Sequence, residues 1–433
     1  MSSEILSNAI SRRSLLKTLG MLSGAVATAS AIPMVSSKAF ASDAVRMLSA
    51  RGTLKLGVLL PDSCFSPSPG ASMMNGIDLY LNGLDGRIAG RKVKVVAESI
   101  GSGINGAVRG SRKLVEEQGV DIVIGMINSR TTPMVRDIYE KNGAVLIETN
   151  IGERIADDRS KSDHIFRNTL DNTAANYALG CWAARNLGRR GMIAGSFYES
   201  GFDTIAAFRA GFTASGGTIV DEQISCSPAH AKHISCVVAS IGERRPDFVY
   251  ALYSGHPAVS FIEAYGRKGA HAGVPLIGSG FLTEEHLLVD AGADADGIRS
   301  ALPWSAALRT AENQEFTERY RARTGQLPNA FALLGYDSAR IVSEALTALD
   351  GDTGRPSQVI DALRRVKFDS PRGPLTIASA TQSVITPLYL REVRTVNGTA
   401  INQVIGTLSL PTDVSRIVPG GSNSGWLTPY HTV

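Results

Sequence analysis

The segment Val120–Val135, VDIVIGMINSRTTPMV, decides the fold prediction because it passes from apolar to polar residues within a few positions. Its first part, Val120–Met126, has the length and the apolar, β-branched composition of a buried strand. Five polar residues follow before Pro133, namely Asn128, Ser129, Arg130, Thr131 and Thr132. A buried strand that ends in a burst of hydrogen-bond donors predicts a turn that meets water or a ligand.

Strands and helices alternate with short connections on both sides of this segment, which is typical of parallel sheets covered by helices. Before it, the sequence predicts strands at LKLGVLL (Leu54–Leu60) and RKVKVVAES (Arg91–Ser99). After residue 170 the alternation restarts, with strands at GMIAGSFYE, TIVDEQIS, DFVYALYS and VPLIGSG. We therefore predict the α/β class, with two lobes built on parallel sheets and a crevice between them.

In open α/β sheets, ligands bind outside the carboxyl ends of the strands, which is where the turn NSRTT is predicted to lie. This turn would offer hydroxyls, an amide, a guanidinium and the free N–H groups of the following helix. Ser129 or Thr131 could instead cap that helix, since any strand–helix turn can use a side-chain cap. The turn by itself leaves both interpretations open.

The other predicted strand ends are also polar or aromatic, and aromatic walls with a few convergent donors are typical of small-molecule pockets. A single aromatic residue at such a position could belong to the core. Its recurrence at several strand ends favours a ligand cleft. The candidate ligand-binding residues are Ser129, Arg130, Thr131, Asn150, Ile151, Ser200, Phe202, Tyr253, Ser254 and Phe281.

The first 41 residues are predicted to be a cleaved export signal, with a basic region, an apolar stretch and the small-x-small site Ala39–Ala41. The motif SRRSLLK, which holds Arg12 and Arg13, resembles the twin-arginine consensus and predicts a periplasmic or other extracytoplasmic protein. An uncleaved anchor is the alternative, although the interrupted apolar stretch is short for a membrane span. Without this segment the chain carries 40 basic and 39 acidic residues, so a nucleic-acid partner is not expected.

Four cysteines follow the signal, and Cys226 and Cys236 flank a segment that holds His230 and His233. An exported protein can form disulfides. The spacing is compatible with a disulfide, a metal site or two unrelated thiols, and it does not decide among them.

The motifs of common α/β enzymes are missing. The sequence lacks G-x-G-x-x-G after the first strand, the G-x-S-x-G elbow, the phosphate-binding G-x-x-x-x-G-K-[ST] and H-E-x-x-H. His256 lies near the predicted cleft, but no nucleophile accompanies it. We therefore expect a binding protein without a cofactor or a metal.

Several longer segments have a familiar order and spacing, among them SRKLVEEQGVDIVIG, AAFRAGFTASGG, RRPDFVYALY and FTERYRARTGQLPNAFALLGYDSARIVSEAL. With them, the chain resembles the type I periplasmic solute-binding proteins of ABC transporters, in the branched-chain amino acid and amide group. The resemblance implies two Rossmann-like lobes, joined by three crossover strands, that close on a ligand. We expect crossings near 168–172, 301–304 and 371–374, with 42–170 plus 304–372 as the first lobe and 171–303 plus 373–433 as the second.

The resemblance also implies how a ligand is held. The turn with Ser129 and the turn Asn150–Gly152 would bind a carboxylate or amide group. The acid that receives an amino acid's ammonium in this family aligns with Gly280. Since an unpaired ammonium in a closed cleft is costly, we expect a carboxylate, an amide or an aromatic acid. Three acids could substitute for the missing one: Asp203, Glu284 and Glu285.

The implied function is an extracytoplasmic receptor that delivers a small-molecule ligand to an ABC permease in the membrane, and we expect a monomer. A ligand-sensing clamshell protein that feeds a signalling receptor is the alternative. An α/β enzyme is the least favoured class.

Overall fold

A computed structural model of the chain describes residues 52–61, 69–101, 104–125, 131–150, 161–197, 199–226, 231–267 and 273–409. Strands and helices alternate through the first part: β1 (Leu54–Leu60), α1 (Pro69–Asn82), β2 (Arg87–Ile88), β3 (Arg91–Ser99), α2 (Ile104–Arg112), β4 (Ile122–Gly125), α3 (Thr132–Asn142), β5 (Val145–Asn150) and β6 (Ile165–Thr169).

The alternation then continues through α4 (Asn172–Asn186), β7 (Arg190–Phe197), α5 (Glu199–Ala214), β8 (Thr218–Cys226), α6 (Ala231–Arg244), β9 (Phe248–Leu252), α7 (His256–Arg267), β10 (Leu276–Ser279), α8 (Glu285–Ala291) and β11 (Arg299–Leu302). The last part holds α9 (Ala311–Thr324), α10 (Ala330–Thr347), α11 (Pro356–Arg364), β12 (Lys367–Ser370), β13 (Gly373–Ala378), β14 (Ser383–Ile385), β15 (Leu388–Val396) and β16 (Thr399–Leu408).

The first sheet has the order β12-β13-β14-β6-β5-β4-β1-β3-β2. Its centre is parallel, since β1 pairs with β3 and β4, and β5 pairs with β4 and β6. The apolar run Val120–Met126 contains β4, and all four residues of this strand are buried. A central strand covered by helices on both faces has this apolar composition because neither side meets water.

The second sheet has the order β16-β15-β11-β10-β9-β7-β8. The strands from β8 to β11 pair in parallel, whereas β15 and β16 are antiparallel additions at one edge. The predicted α/β class with two parallel-dominated sheets is therefore confirmed.

The chain passes between the two sheets three times. It leaves the first sheet after Thr169 and returns to it after Leu302, as predicted. The third crossing follows Ile385, so the expected position at 371–374 is wrong. Gly373–Ala378 pairs with β12 and β14 in the first sheet, so residues 373–385 do not join the second sheet as the expected boundary required.

The core of the first sheet includes residues of α1 and α10, which pack against each other closely. A Cβ at Gly76 would lie 2.0 Å from the Ala332 carbonyl oxygen, and one at Gly335 would lie 2.0 Å from that of Met73. Only glycine permits this backbone approach. Among the described residues, no helix is long and apolar enough to cross a membrane.

Candidate functional site

Two of the crossings begin at the carboxyl ends of strands. β6 ends at Thr169 before the chain enters the second layer, and β11 ends at Leu302 before the chain returns. Because neighbouring strands are parallel, the carboxyl ends of β4, β5 and β6 share one edge, and those of β9, β10 and β11 share another. Both carboxyl edges therefore adjoin the crossings, and the crevice beside them is the candidate site.

Several predicted contact residues cannot be placed. Ser129, Arg130 and Ile151 lie outside the described residues. Asn150 ends β5, and Ser200 and Phe202 lie in the first turn of α5, but the described part of the structure does not include their side chains. The predictions for these six residues stay predictions.

Thr131 is buried at the N-terminus of α3. Its backbone is helical (φ −82°, ψ −20°), and its side chain makes no capping hydrogen bond. The alternative in which Thr131 caps the helix is therefore wrong. Pro133 in the first turn has no N–H to offer. The capping alternative for Ser129 stays open.

A buried acid lies directly beneath this helix start. Thr132 Oγ1 donates to Glu148 Oε1 at 2.7 Å. Arg167 Nε lies 3.3 Å from Glu148 Oε2, and both charged side chains are buried. Sequence analysis missed this group, although a glutamate within the apolar strand sequence VLIETN was a visible signal.

Tyr253 follows β9 and is fully buried, with its ring stacked on Phe261 at a centroid distance of 4.5 Å. Its hydroxyl has no hydrogen-bond partner among the described residues, and burial raises the pKa of the phenol. Ser254 beside it is half-buried. The ring thus packs in the core, and only the hydroxyl is left for a further contact.

Phe281 follows β10 and is also buried. It belongs to the core of the first sheet, together with Leu302 and Trp304, although β10 belongs to the second sheet. The side chain therefore joins the two layers beside the second crossing. Its predicted role as a ligand wall is not tested by this packing.

Arg391 of β15 organises the loop that follows β10, and sequence analysis missed it. Its guanidinium donates to the carbonyl oxygens of Gly280 at 3.1 Å and Trp304 at 3.2 Å, and to Ser300 Oγ at 3.1 Å. Glu285 Oε1 lies 3.9 Å from Nη1. A fully buried guanidinium is expensive unless its donors are used, and here they hold the loop in place.

The acids of this loop do not offer a free negative charge to the cleft. Glu285 is paired with Arg391 and also accepts from Asn402 Nδ2 at 3.0 Å. Glu284 is 2% exposed, and its carboxylate lies beside the Ala330 backbone N–H without a hydrogen bond from any described side chain. Burial, together with the negative charge of Glu285, raises the pKa of Glu284 to about 8 against the opposing effect of Arg391.

Gly280 itself has little room for a side chain. A Cβ there would lie 2.4 Å from Leu302 Cδ1 and 3.2 Å from the Ala301 carbonyl oxygen. An acid at this position would displace the Leu302 side chain, so the glycine fits the local packing. The position at which relatives were expected to bind an ammonium therefore carries no charge here.

A second buried guanidinium, Arg372, lies in the turn between β12 and β13. Its Nε donates to Asp337 Oδ2 at 2.8 Å and its Nη1 to the Thr169 carbonyl at 3.1 Å, while Nη2 donates to Asn168 Oδ1. Tyr389 Oη donates to the Arg372 carbonyl at 2.9 Å. The residue thus connects the first and third crossings with α10.

A small cavity lies where the three crossings meet, lined by Thr169, Leu170, Asp171, Pro303, Val384, Thr386 and Leu388. Among the described residues, no group of histidine, cysteine or acidic side chains could hold a metal ion. Cys181 and Cys236 are free thiols, while His230 lies outside the described residues.

Known proteins resemble this chain over most of its length. A family model described as periplasmic binding protein matches residues 53–399. A Leu/Ile/Val-binding protein homolog of Brucella melitensis is 25% identical over 360 residues, which cover 82% of this chain and 91% of that protein.

Two solved structures share the fold. An ABC transporter substrate-binding protein from Sphaerobacter thermophilus is 29% identical, with a TM-score of 0.76 and coverage of 82% of this chain and 98% of that one. A solute-binding protein of an ABC transporter from R. palustris, in complex with benzoate, is 28% identical, with a TM-score of 0.73 and coverage of 84% and 98%.

Proposed function

The chain belongs to the periplasmic binding protein family, and from that premise we propose that it is the solute-binding receptor of an ABC importer with a small carboxylate as its ligand. The proposal rests on one observation, which is that the loop after β10 offers no available carboxylate to a positively charged ligand group. Glu285 is occupied by Arg391 and Asn402, Gly280 has no side chain, and Glu284 is buried with a raised pKa. A ligand ammonium would lack a charged partner at this loop.

An aromatic carboxylate fits these conditions better than an amino acid. It presents one negative charge for the turn 126–131 and an apolar ring without an ammonium group. The R. palustris relative with benzoate supports this choice. The Leu/Ile/Val-binding name of the Brucella relative favours an aliphatic amino acid, which makes leucine the necessary comparison.

The carboxylate would bind at the N-terminus of α3. The first N–H groups of a helix have no partner within the helix, and the helix dipole favours a negative charge there. Ser129 would add a hydroxyl donor, and Arg130 would add a positive charge. Asn150, Ile151, Ser200, Phe202 and Ser254 would line the remaining cleft.

The receptor would act outside the cytoplasm, after export through a twin-arginine-type signal in residues 1–41, and would deliver its ligand to an ABC permease as a monomer. The lobes would be residues 52–170 with 304–385, and 171–303 with 388–409. This division follows the strand pairing and the three crossings.

Isothermal titration with benzoate, benzamide and leucine tests the ligand class. We expect benzoate to bind best and leucine to bind weakly or not at all. Ser129→Ala should weaken benzoate binding by roughly ten- to a hundredfold, because it removes a donor to a charged group. Arg130→Ala should weaken benzoate more than benzamide, since only benzoate carries the charge.

Ser379→Ala is the matched control, because Ser379 is an exposed serine of the first sheet's antiparallel end. It should leave the affinity for benzoate unchanged. Tight binding of leucine with none of benzoate would overturn the carboxylate proposal. An unchanged benzoate affinity in Ser129→Ala, with a lowered melting temperature, would assign Ser129 to helix capping instead.

A further inference from the structure

Glu284 connects the layer of the second sheet with the layer of the first. It lies in the loop that follows β10, at the carboxyl edge of the second sheet, and directly precedes α8. Its carboxylate lies beside the backbone N–H of Ala330, the first residue of α10. Since α10 packs against α1 in the core of the first sheet, this contact joins the two layers.

The N-terminus of α10 lies on the crevice side of the first sheet. Asn329, which caps α10, donates from Nδ2 to Ser72 Oγ at 3.0 Å, and Ser72 is in the first turn of α1. A Cβ at Gly70 would lie 2.5 Å from the Pro61 carbonyl oxygen, so the start of α1 lies against the end of β1. Both sides of the contact therefore lie at carboxyl edges, one from each sheet, and the contact crosses the crevice.

The hydrogen bonds at this helix start leave the first N–H for Glu284. Asn329 Oδ1 accepts from the Ala332 N–H at 3.0 Å, which is the cap of α10. The Ala330 N–H has no partner within its own helix, and the helix dipole adds a partial positive charge there. Glu284 is almost completely buried and receives no hydrogen bond from any described side chain, so it faces this backbone group.

The buried charges around Glu284 do not balance without a proton. Glu284 and Glu285 are both buried, and so is Arg391. The guanidinium lies 3.9 Å from Glu285 Oε1 and donates to the carbonyl oxygens of Gly280 and Trp304. Two carboxylates and one guanidinium leave one negative charge, which is costly to bury. A proton on the Glu284 carboxyl group removes that charge.

Neighbouring groups do not supply a second positive charge. Burial lowers the pKa of His286 against the opposing effect of Asp290, so this imidazole is uncharged near pH 7. The first two turns of α10, on the other side of the contact, carry no charged residue. The charges that act on Glu284 are those of Glu285, which raises its pKa, and of Arg391, which lowers it, and burial has a larger effect than either.

Separation of the two layers would change the surroundings of Glu284 in a defined way. Glu285 and Arg391 belong to its own layer, so their charges would stay beside it. Water would replace α10, which would relieve the burial that disfavours the charged carboxylate. The loss of the Ala330 hydrogen bond acts in the opposite direction and is the smaller effect. The form with the layers in contact therefore holds the proton more tightly.

We propose that Glu284 is a proton-binding site at a contact that closes the crevice, so that solute capture takes up a proton at this residue. Periplasmic binding proteins close around their ligands by a hinge motion, which links the contact to capture. The affinity part of this inference rests on the proposed function, because it needs benzoate to bind. The contact itself does not depend on which solute is bound.

The direction of the pH effect follows from proton binding. The pKa of Glu284 in the contact is raised from 4.5 to about 8. The proton therefore stabilises the contact at low pH, and this contribution is lost as the pH rises through about 8. Solute affinity should decrease over the same range.

Isothermal titration with benzoate, in buffers of different ionisation enthalpy, measures the proton uptake. At pH 7 the wild type should take up part of one proton for each benzoate bound, and Glu284→Gln should take up none. The benzoate affinity of the wild type should fall by about three- to tenfold between pH 6 and pH 8, since benzoate itself stays ionised. Glu315→Gln removes an exposed carboxylate of α9 and should keep the wild-type behaviour.

Hydrogen–deuterium exchange tests the contact without a solute. A peptide covering 328–334 reports on the start of α10. After correction for the intrinsic exchange rate, its protection in ligand-free wild type should fall from pH 6 to pH 8, whereas its protection in Glu284→Gln should stay constant. A peptide covering 176–184, in the core of the second sheet, should not differ between the two proteins, which separates a local effect from a general loss of stability.

The outcomes separate this inference from the proposed function. Benzoate binding without proton uptake, or uptake that persists in Glu284→Gln, would overturn the proton site and leave the proposed function intact. If the wild type does not bind benzoate, the carboxylate proposal fails and the exchange comparison decides the inference. Equal pH dependence of peptide 328–334 in wild type and Glu284→Gln would then reject the proton site, and a difference confined to that peptide would support it.

Discussion

Glu284→Gln tests whether a buried carboxyl group beside the cleft is neutral in the folded protein. The side chain is 2% exposed, and its carboxylate lies beside the Ala330 backbone N–H without a hydrogen bond from any described side chain. Burial and the charge of Glu285 raise its pKa from an ordinary 4.5 to about 8, and Arg391 opposes the change without cancelling it. Glutamine reproduces the size and neutrality of the protonated acid at every pH.

The sign of the expected effect follows from proton binding. Between about pH 4.5 and pH 8 the folded protein holds a proton at Glu284 that the unfolded chain releases. The free energy of unfolding should therefore fall as the pH rises through this window, by about 1.4 kcal/mol per pH unit from this group.

Urea denaturation of ligand-free protein at pH 5, 6.5 and 8 measures this effect. The stability of Glu284→Gln relative to wild type should rise with each step in pH and level off above about pH 8. Glu315→Gln is the control, since that carboxylate is exposed and its i,i+4 pair with Arg319 is a surface ion pair. Parallel pH curves for wild type and Glu284→Gln would refute the reasoning.

Three further predictions concern other parts of the chain. Arg372→Leu leaves Asp337 as a buried unpaired acid and should lower the free energy of unfolding by about 3 to 5 kcal/mol in urea denaturation; replacing Asp337 by leucine as well should restore part of it, and no recovery would contradict this explanation. Tyr253→Phe removes a hydroxyl without a partner among the described residues, so the melting temperature of ligand-free protein should stay the same or rise. Lysine in place of both Arg12 and Arg13 should prevent export in a cell-fractionation assay, and a normal exported yield would reject the twin-arginine interpretation.

The sequence predicted the parallel core of both sheets because local signals and tertiary structure agree there. The apolar run Leu54–Leu60 became β1, which is buried apart from Lys55, and the run Val120–Met126 contains β4 (Ile122–Gly125), whose four residues are all buried. The first two crossings were also predicted, since each follows a strand that ends in the expected layer. In these regions, composition and strand spacing carry most of the information.

The predicted position of the third crossing was wrong because Pro371–Pro374 has the composition of a connection between layers. In the structure it is a hairpin turn, with Ser370 paired to Gly373 and a φ of 99° at Gly373. Turn residues identify a change of direction, but they do not say whether the next strand returns to the same sheet. That choice depends on long-range pairing with β6 through β14.

The buried charges were missed for a different reason. Glutamate and arginine are usually exposed, so Arg391 in YLREV and Glu148 in LIETN appear as outward-facing positions of a strand. Their actual role depends on partners distant in sequence, such as Gly280 for Arg391 and Arg167 for Glu148. The spacing of residues along the sequence does not reveal these long-range contacts.

The locations of the buried ion pairs say more about function than the fact that such pairs are present. Each pair is expensive to bury, and among the described residues three of them lie at carboxyl edges or crossings: Glu148 with Arg167, Asp337 with Arg372, and Glu285 with Arg391. Apolar packing could fill these volumes, but it is not directional. Hydrogen-bonded charges fix backbone carbonyls and helix starts at defined positions, which a cleft that must hold one solute requires. The arrangement therefore supports the view that these pairs set the geometry of the cleft and its crossings.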